Sequence, residues 1–322
     1  MKISVALCTY NGETFIKQQI NSILNQTLKV DEIVVCDDIS TDNTIKIIQE
    51  YRLQFPEIFK IHINESNIGS VKNFEKAISL CTGEIIFLSD QDDVWELNKV
   101  SVFKDYFENN QNIQVLTSNG FCITDQNEII DKYTIWDVPQ FLRDKKVPFD
   151  YFTMINFTAN IATGAAMAVR KKFVQDIFPV PIIPGYHHDE WIALHASKNN
   201  SFEILNEKLF SYRIHENQQV GGVCHDKKEC TIVNLIEIFN FNLKDKSVKS
   251  YKKLLKKICK SQKKNLKRLQ TSQVNNIFLE DNLKIIKQKY FNVKKQMISD
   301  NPVYGSLTVV WDKIFNKRQL KK

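Results

Sequence analysis

Apolar and polar residues in the first hundred positions follow two alternating patterns. Short apolar runs rich in β-branched and aromatic side chains predict buried strands, and they cover residues 3–8, 33–36, 59–63 and 85–88. Between these runs apolar residues recur every three or four positions, which predicts helices near residues 15–24, 45–51 and 71–80. Strands that alternate with helices predict an α/β fold with a mostly parallel, Rossmann-like sheet flanked by helices.

The pattern between residues 113 and 220 is less regular. Residues 115–118 and 164–170 predict two further strands, and residues 189–198 predict a helix. Residues 131–157 contain Trp136 and two prolines, and we expect them to form an excursion over the surface.

Charge divides the chain into two parts. Residues 1–226 hold 20 Lys and Arg against 30 Asp and Glu, a net charge of −10, and residues 227–322 hold 24 against 7, a net charge of +17. From about residue 230 to 298 the sequence is Lys-rich, helical in pattern and free of Gly and Pro. We therefore predict a first domain over residues 1–225, with halves at 1–110 and 111–225, and a basic helical extension over residues 226–322.

The last segment, residues 302–322, combines apolar side chains and Trp311 with lysines. This combination is typical of a helix that lies in a membrane interface. The alternative is a helix that packs on the first domain or on a second copy of the chain in a homodimer, and the sequence does not decide between them.

Several features predict a cytoplasmic protein, peripheral on the inner face of the plasma membrane. No apolar stretch approaches the roughly 18 residues that span a bilayer, and the N-terminal residues enter a strand pattern without the features of a signal peptide. The chain has seven cysteines, an odd number, and Cys8, Cys36 and Cys81 lie in or beside apolar runs, as reduced core thiols do.

Polar residues follow three of the predicted strands. They are Tyr10-Asn11-Gly12, Asp37-Asp38 and the tract Asp90-Gln91-Asp92-Asp93. Because ligands of parallel sheets bind beyond the carboxyl ends of the strands, these segments are expected to converge at one edge. Three carboxylates in one loop repel one another, and a divalent cation that also binds substrate phosphates would offset the repulsion. A solvated acidic loop that caps the following helix is the alternative.

Taken together, these segments resemble a known enzyme family. Residues 3–12, 32–44 and 83–95 resemble the family-two inverting glycosyltransferases, which have a GT-A-type fold. His188-Asp189-Glu190-Trp191 and Tyr212-Arg213-Ile214-His215-Glu216-Asn217 resemble the bacterial branch that includes many rhamnosyltransferases. The resemblance covers about residues 1–220, so the basic tail lies outside it. It makes residues 1–110 the nucleotide-binding half and residues 111–225 the acceptor half.

The resemblance implies a role for each candidate site residue. Binding of the nucleotide-sugar donor falls to Thr9, Tyr10, Asn11, Asp38, Lys72, Asp90 and Arg213. A Mg²⁺ or Mn²⁺ ion would be held by Asp92, with Asp90 and His215 as further candidate ligands. Asp189 would be the catalytic base, and its place at a predicted helix start suits an anion. Residues of these types also have structural uses, namely a solvated helix lysine for Lys72, a helix cap for Asp189 and a structural hydrogen bond for His215.

These roles predict transfer of a sugar to a lipid-linked or growing bacterial cell-surface glycan, such as one carried on polyprenyl diphosphate. The resemblance favours dTDP-rhamnose as donor, with a UDP-hexose (glucose, galactose or N-acetylhexosamine) as the alternative. A non-catalytic sugar-nucleotide-binding scaffold would be expected to lack the base or the acidic tract, and both are present. A nucleic-acid partner is not expected, because the basic tail favours Lys over Arg and does not interleave its charges with aromatic residues.

Overall fold

The computed structural model describes residues 1–216, 222–272 and 276–321. Asn217, which ends the Tyr-Arg-x-His segment, lies outside these residues. The strands are β1 Ile3–Thr9, β2 Glu32–Asp37, β3 Phe59–Ile63, β4 Ile85–Ser89, β5 Val94–Trp95, β6 Val115–Ile123, β7 Ile129–Ile130, β8 Tyr133–Thr134, β9 Ala168–Arg170, β10 Phe202–Arg213 and β11 Cys224–His225. The helices are α1 Ile16–Leu24, α2 Thr44–Gln54, α3 Gly69–Leu80, α4 Lys99–Asn109, α5 Val138–Asp144, α6 Tyr151–Phe157, α7 Lys171–Ile177, α8 His188–Lys198, α9 Glu229–Phe239, α10 Val248–Thr271, α11 Ile277–Asp300 and α12 Pro302–Ile314.

The chain forms two compact units. The first, called the sheet unit, comprises Met1–Phe141, Ile161–Val180 and His187–Leu235. The second, called the helical unit, comprises Leu142–Asn160, Pro181–Tyr186 and Ile236–Lys322. The functional division expected at residue 225 stays a prediction.

The sheet unit is built on one mixed sheet in the order β3-β2-β1-β4-β9-β6-β10-β5, with β7 paired to β6. Strands β1 to β4 run parallel to their neighbours in this half of the sheet. Strand β10 is parallel to β6, whereas β9, β5 and β7 are antiparallel to their partners. The α/β fold and the four predicted parallel strands are therefore confirmed.

Burial explains why the early strands were predictable. Every residue of β1 and β2 is buried, as expected for central parallel strands covered by helices on both faces. Each Val, Leu or Ile buried in this way contributes about 1.5–3 kcal/mol relative to an exposed position. An uninterrupted apolar run is therefore the sequence pattern that such strands require.

The structure corrects the expectation for residues 131–157. These residues do not run over the surface as an excursion, because they include β8, α5 and α6 and bury Trp136, which is only 1% exposed. The Trp136 ring packs edge-on against Phe210 and Tyr212. The prolines mislead here because Pro139 lies in the first turn of α5, where its missing N–H costs nothing.

Two other elements differ from their predictions. The predicted strand at 164–170 begins as a single 3₁₀ turn at Gly164–Ala166 and becomes β9 only at Ala168. The longest strand, β10, was not predicted, because its register against β6 shifts between Leu205 and Lys208 and again between Lys208 and Ser211. Such irregularities break the alternation on which strand prediction depends.

The cysteines agree with the sequence only in part. Cys8, Cys36 and Cys81 are buried free thiols, as predicted. Cys122 and Cys224, however, form a disulfide that joins the end of β6 to β11. The sequence did not predict this pairing, because the odd number of cysteines had pointed to reduced thiols.

The helical unit confirms the predicted helical extension. Helices α10 and α11 each have 24 residues and pack along a core that includes Tyr251, Leu255 and Ile286. Helix α12 approaches α11 closely at Gly305, where a Cβ atom would lie 2.7 Å from the backbone oxygen of Met297. Across the described ranges, none of the helices has the length and apolarity needed to cross a membrane.

Candidate active site

The three polar segments that follow β1, β2 and β4 converge, as the sequence predicted. Strand β1 lies between β2 and β4, and all three end at the same edge of the sheet. The Gln91 side chain accepts a hydrogen bond from the backbone N–H of Tyr10 at 2.8 Å and donates one to the Tyr10 carbonyl at 3.0 Å. Gly12 permits this contact, because a Cβ atom there would lie 2.3 Å from Gln91 Oε1. The acidic loop is thus fastened to the loop after β1.

Thr9 and Asn11 brace the loop that follows β2. The Thr9 hydroxyl donates to Asp37 at 2.7 Å, and Asp37 also accepts from the backbone and hydroxyl of Ser40. Asn11 has a left-handed backbone with φ of 49°, and its Oδ1 accepts from the backbone N–H of Thr41. Tyr10, between them, is 46% exposed. Of these three residues expected to bind the nucleotide-sugar donor, Tyr10 is therefore the one whose exposed ring is most available for a ligand.

Asp38 is buried and already accepts several hydrogen bonds. Its carboxylate accepts the side-chain N–H of Asn64 and the backbone N–H groups of Ile68 and Gly69, each at 2.8 Å. Two carboxylate oxygens offer about four acceptor positions, so room for one further donor remains. Asp38 consequently fixes the start of α3, and its expected role in binding the nucleotide-sugar donor stays a prediction.

Lys72 lies on α3, and its ammonium binds groups outside the acidic loop. Its ammonium binds Glu75 at 3.0 Å and the carbonyl of Val180 at 3.3 Å. None of the contacts described for Lys72 reaches the acidic loop. Its expected role in binding the nucleotide-sugar donor would require this ion pair to open, and that role stays a prediction.

The acidic loop after β4 concentrates three carboxylates in different environments. Asp92 is partly exposed, and its Oδ2 lies 2.9 Å from Nε2 of His215. The pKa of Asp90 is raised to about 8, first by burial and then by the charges of Asp92 and Asp189. The pKa of Asp93 is raised well above its usual value by burial and by the charges of Asp92 and Asp90. One oxygen of Asp93, Oδ2, is buried without a hydrogen-bond partner in the described part of the chain.

Arg213 holds this loop from behind, which differs from the role expected for it. Its Nε–H donates to the carbonyl of Asp92 at 2.7 Å, and its backbone N–H donates to Asp93. The other four guanidinium N–H groups bind acceptors of the loop at 124–127 and of Gln18. The guanidinium also covers the Phe15 ring at 4.5 Å. Since a guanidinium has five N–H donors, none is left for a diphosphate, and in this structure Arg213 positions the loop.

Lys99 supplies a second buried positive charge that sequence reasoning missed. Its ammonium donates to the carbonyl of Ala165 at 2.6 Å and lies 4.2 Å from the centroid of the Trp95 ring. Burial lowers its pKa to about 7, while the charges of Asp93 and Asp90 act in the opposite direction. The sequence did contain a signal that Lys99 is buried. It lies in a series of large residues spaced four positions apart, and the structure buries all four: Trp95, Lys99, Phe103 and Phe107.

Asp189 lies in the first turn of α8, as the sequence predicted, and its charge acts on the acidic loop. The Oδ1 atom of Asp189 accepts the backbone N–H of Glu190 at 2.5 Å. The pKa of the Tyr212 hydroxyl is raised by burial and then by the charges of the loop carboxylates and of Asp189. Its influence on both Asp90 and Tyr212 indicates that Asp189 and the acidic loop share one electrostatic environment.

The arrangement fits a divalent cation only in combination with a substrate. No group of three His, Cys, Asp or Glu side chains within residues 1–216, 222–272 and 276–321 is arranged to hold a metal ion. Asp92 and His215 form a pair, and the unpartnered oxygen of Asp93 lies in the same loop. Mg²⁺ commonly takes one or two protein ligands and completes its shell with substrate phosphates and water. The pair suits that mode of binding, whereas a ligand role for Asp90 stays a prediction.

Comparison with known proteins places the chain among glycosyltransferases. Residues 4–178 match the family model described as Glycosyl transferase family 2. The dTDP-rhamnosyl transferase RfbG of Shigella flexneri is 30% identical over 229 residues, which cover 67% of this chain and 74% of that protein. Chondroitin synthase of Escherichia coli is 26% identical over 251 residues, which cover 78% of this chain and 34% of that protein.

Solved structures support the same fold. The crystal structure of S. aureus TarS 1–349 in complex with UDP-GlcNAc is similar with a TM-score of 0.54. The match covers 95% of this chain and 83% of that chain at 19% sequence identity. At this identity the likeness shows the GT-A-type fold.

Proposed function

The chain belongs to glycosyl transferase family 2, and from that premise we propose that it is a metal-dependent, inverting glycosyltransferase. It moves one sugar from a nucleotide-diphosphate donor to a bacterial cell-surface glycan. The observation that carries the proposal is geometric: the acidic loop follows β4 at the edge where β1 and β2 also end, and in that loop Asp92 lies 2.9 Å from His215. Asp189 lies in the first turn of α8, and its charge adds to burial and to the charge of Asp92 in raising the pKa of Asp90.

In this proposal Asp189 takes the proton from the acceptor hydroxyl. Inversion requires the acceptor oxygen to attack the anomeric carbon from the face opposite the leaving diphosphate. A carboxylate held at the start of a helix is well oriented for this task, because backbone N–H groups fix it and the helix dipole favours its anionic form. The hydrogen bond from the Glu190 N–H to Asp189 is consistent with such an orientation.

Asp92 and His215 bind the cation in this proposal, and Arg213 and Lys99 hold the acidic loop in place. When bound, Mg²⁺ or Mn²⁺ supplies charge neutralisation for the departing diphosphate, which is Lewis-acid assistance. Arg213 keeps the Asp92 backbone in position through its Nε–H, and the buried Lys99 offsets part of the repulsion among the carboxylates. Both cations thus preorganise the loop before the donor arrives.

The donor is proposed to be dTDP-rhamnose. The similarity to a dTDP-rhamnosyl transferase over two thirds of the chain favours it. A UDP-hexose is the second candidate, because the similar TarS structure contains UDP-GlcNAc. Thr9, Asn11 and Asp38 shape the loops that would receive the nucleotide, and Tyr10 presents an exposed ring against which a base can stack.

A thermal-shift screen tests the donor directly. The purified protein is heated with Mn²⁺ and, in separate samples, dTDP-rhamnose, UDP-glucose, UDP-galactose, UDP-GlcNAc, dTDP or UDP. Binding to the native state raises the melting temperature by mass action. We expect dTDP-rhamnose to raise it most. A larger shift with a UDP-sugar would identify that UDP-sugar as the donor instead of dTDP-rhamnose. No shift with any nucleotide would contradict the proposed function.

We further propose that the acceptor is carried on a lipid diphosphate and that helix α12 binds the membrane surface. Large apolar side chains of α12 are more than half exposed: Val303, Tyr304, Leu307, Val310, Trp311 and Ile314. Lys313, Lys317 and Lys321 lie beside them and are also exposed. An apolar face with a Trp and flanking lysines suits an anionic bilayer, where each Lys or Arg near the surface is worth about 1 kcal/mol.

Glutamate substitutions on this face are expected to release the protein from membranes. The double variant Leu307→Glu, Trp311→Glu should sediment with vesicles containing anionic lipid at least tenfold less than the natural chain, because two apolar contacts become charged. The matched control is Leu53→Glu, Ile129→Glu, which changes two exposed apolar residues of the sheet unit. Unchanged sedimentation of the α12 variant would contradict the membrane role. The natural chain could instead form a dimer without lipid that the α12 substitutions convert to a monomer. That result would show that a second copy of the chain covers the apolar face of α12.

A further inference from the structure

We propose that Gln18 and Gln19 of α1 position the acidic loop after β4 so that Asp92 can hold a cation. This inference rests on the proposed function, since it concerns the candidate cation site. Both glutamines act through other residues, so they are positioning residues. Helix α1, the acidic loop and β10 all belong to the sheet unit.

Gln19 is a fully buried amide with 0% exposure, and its neighbours fix its orientation. The indole N–H of Trp95 can only donate and the carbonyl of Asp93 can only accept, so the amide oxygen faces Trp95 and the amide nitrogen faces Asp93. Its Oε1 accepts the indole N–H at 3.1 Å and the Ser89 hydroxyl at 2.6 Å. Its Nε2 donates to the carbonyl of Asp93 at 2.6 Å and to the hydroxyl oxygen of Ser22 at 3.2 Å.

This amide has no hydrogen-bonding capacity to spare. A glutamine side chain offers two donors and two acceptor positions, and Gln19 uses all four. Burial of an amide is costly unless it is hydrogen-bonded, and an apolar residue would suit the buried face of α1 equally well. Such a residue would leave the carbonyl of Asp93 and the indole N–H of Trp95 without these partners. Gln19 therefore serves the loop that it contacts and not the helix that carries it.

The carbonyl that Gln19 binds is next to the one that Arg213 binds. Arg213 donates through Nε–H to the carbonyl of Asp92 at 2.7 Å, and Gln19 donates to the carbonyl of Asp93. Two successive peptide groups are thus held, one from β10 and the other from α1. Because the backbone has only two soft dihedral angles per residue, this leaves the chain after Asp92 little freedom.

Gln18 completes the arrangement by binding the arginine itself. Its Oε1 accepts an N–H of the Arg213 guanidinium at 2.7 Å. Gln18 and Gln19 are consecutive, so one turn of α1 holds both Arg213 and the acidic loop. The Asp92 carboxylate is meanwhile partly exposed and lies 2.9 Å from His215. Partners that orient metal ligands from behind typically change metal affinity about 10–100-fold when they are removed.

The test measures Mn²⁺ binding to the full chain by electron paramagnetic resonance, with UDP and, in separate samples, dTDP. Gln19→Met keeps the length of the side chain and removes the amide. We expect it to raise the Kd of Mn²⁺ about tenfold. In rate measurements, half-activation by Mn²⁺ should shift by the same factor, and saturating Mn²⁺ should restore kcat to within about threefold. A folding defect would instead lower the rate at every Mn²⁺ concentration.

Gln18→Met provides a second variant at a position that is only half-buried, so its folding is less at risk. It removes one acceptor of Arg213, while the arginine keeps its bonds to the acidic loop and to the loop at 124–127. We expect a smaller rise in the Kd of Mn²⁺, about threefold.

Gln26→Met is the matched control. Gln26 is also fully buried, but it binds the segment that follows the acidic loop: its Nε2 donates to the carbonyl of Glu96 at 2.7 Å and its Oε1 accepts the N–H of Val100 at 3.0 Å. This variant should lower the melting temperature as Gln19→Met does and leave the Kd of Mn²⁺ within about twofold.

Two results would overturn the positioning role. One is a Kd of Mn²⁺ that stays within about twofold of the natural value in both Gln19→Met and Gln18→Met. The other is an equal loss of Mn²⁺ affinity in Gln26→Met, which would show general destabilisation. If the natural chain binds no Mn²⁺ with either nucleotide, the proposed metal-dependent function itself fails.

Discussion

Replacement of Asp189 by asparagine will abolish sugar transfer and leave donor binding intact. Asparagine keeps the size of the residue and an oxygen that can accept the Glu190 N–H, but it cannot take a proton from the acceptor hydroxyl. General base catalysis typically contributes about 10²–10⁴-fold, so kcat should fall by that factor. The Kd of the donor, measured by calorimetry with Mn²⁺, should stay within about twofold because the base does not bind the nucleotide.

The matched control for this variant is Asp150→Asn. Asp150 caps α6 by accepting the backbone N–H of Thr153 at 2.7 Å, so it tests the same exchange at another helix start. It should retain turnover. If Asp189→Asn turns over at nearly the natural rate, Asp189 has only a structural role in the first turn of α8 and the base must be sought elsewhere.

Substitution of Asp92 by alanine will remove both activity and the response to divalent cations. Asp92 is partly exposed and is directly paired with a second candidate ligand, His215. Metal assistance is worth several kcal/mol, so we expect kcat to fall about a hundredfold or more. The measurement is initial rate against Mn²⁺ concentration after treatment with a chelator, together with Mn²⁺ binding followed by electron paramagnetic resonance.

Asp105→Ala provides the comparison, because it removes an exposed carboxylate from α4 of the same unit. It should bind Mn²⁺ and respond to it as the natural chain does. Full activity of the natural chain in excess chelator would refute the metal role. Unchanged Mn²⁺ binding by Asp92→Ala would instead show that residues other than Asp92 hold the ion.

Much of the candidate site at the edge of the sheet could be predicted because its determinants are local. Strands β1, β2 and β4 are uninterrupted apolar runs, and polar residues follow each of them directly. Once the strands are parallel neighbours, geometry brings Tyr10, Asn11 and the acidic loop together without further information. The contact between Gln91 and Tyr10 is a consequence of that topology.

The features that escaped prediction depend on long-range contacts. Arg213 was expected to bind the nucleotide-sugar donor, but its partners at Gln18, the 124–127 loop and the acidic loop are far apart in sequence. Whether the five N–H groups of an arginine bind protein acceptors or a substrate can be decided only when the acceptors around it in the folded protein are known. The disulfide between Cys122 and Cys224 joins residues 102 positions apart, so composition alone could not pair them.

Lys99 shows the opposite case, in which a local signal was present and unused. A lysine on a buried helical face between Trp95 and Phe103 must find both an acceptor and a negative charge. Here the carbonyl of Ala165 is the acceptor, and Asp93 and Asp90 supply the charge. The repulsion among the loop carboxylates is therefore offset by a buried protein cation, Lys99, in addition to the proposed metal ion.

The anomeric configuration of the product is the most direct test of the account. Inversion requires attack on the anomeric carbon from the side of Asp189, opposite a leaving diphosphate whose cation Asp92 and His215 would hold. With the donor found in the screen and a soluble acceptor analogue, the one-bond C1–H1 coupling constant in the NMR spectrum of the product reports that configuration. The account predicts a configuration opposite to that of the donor. A product that keeps the configuration of the donor would contradict it.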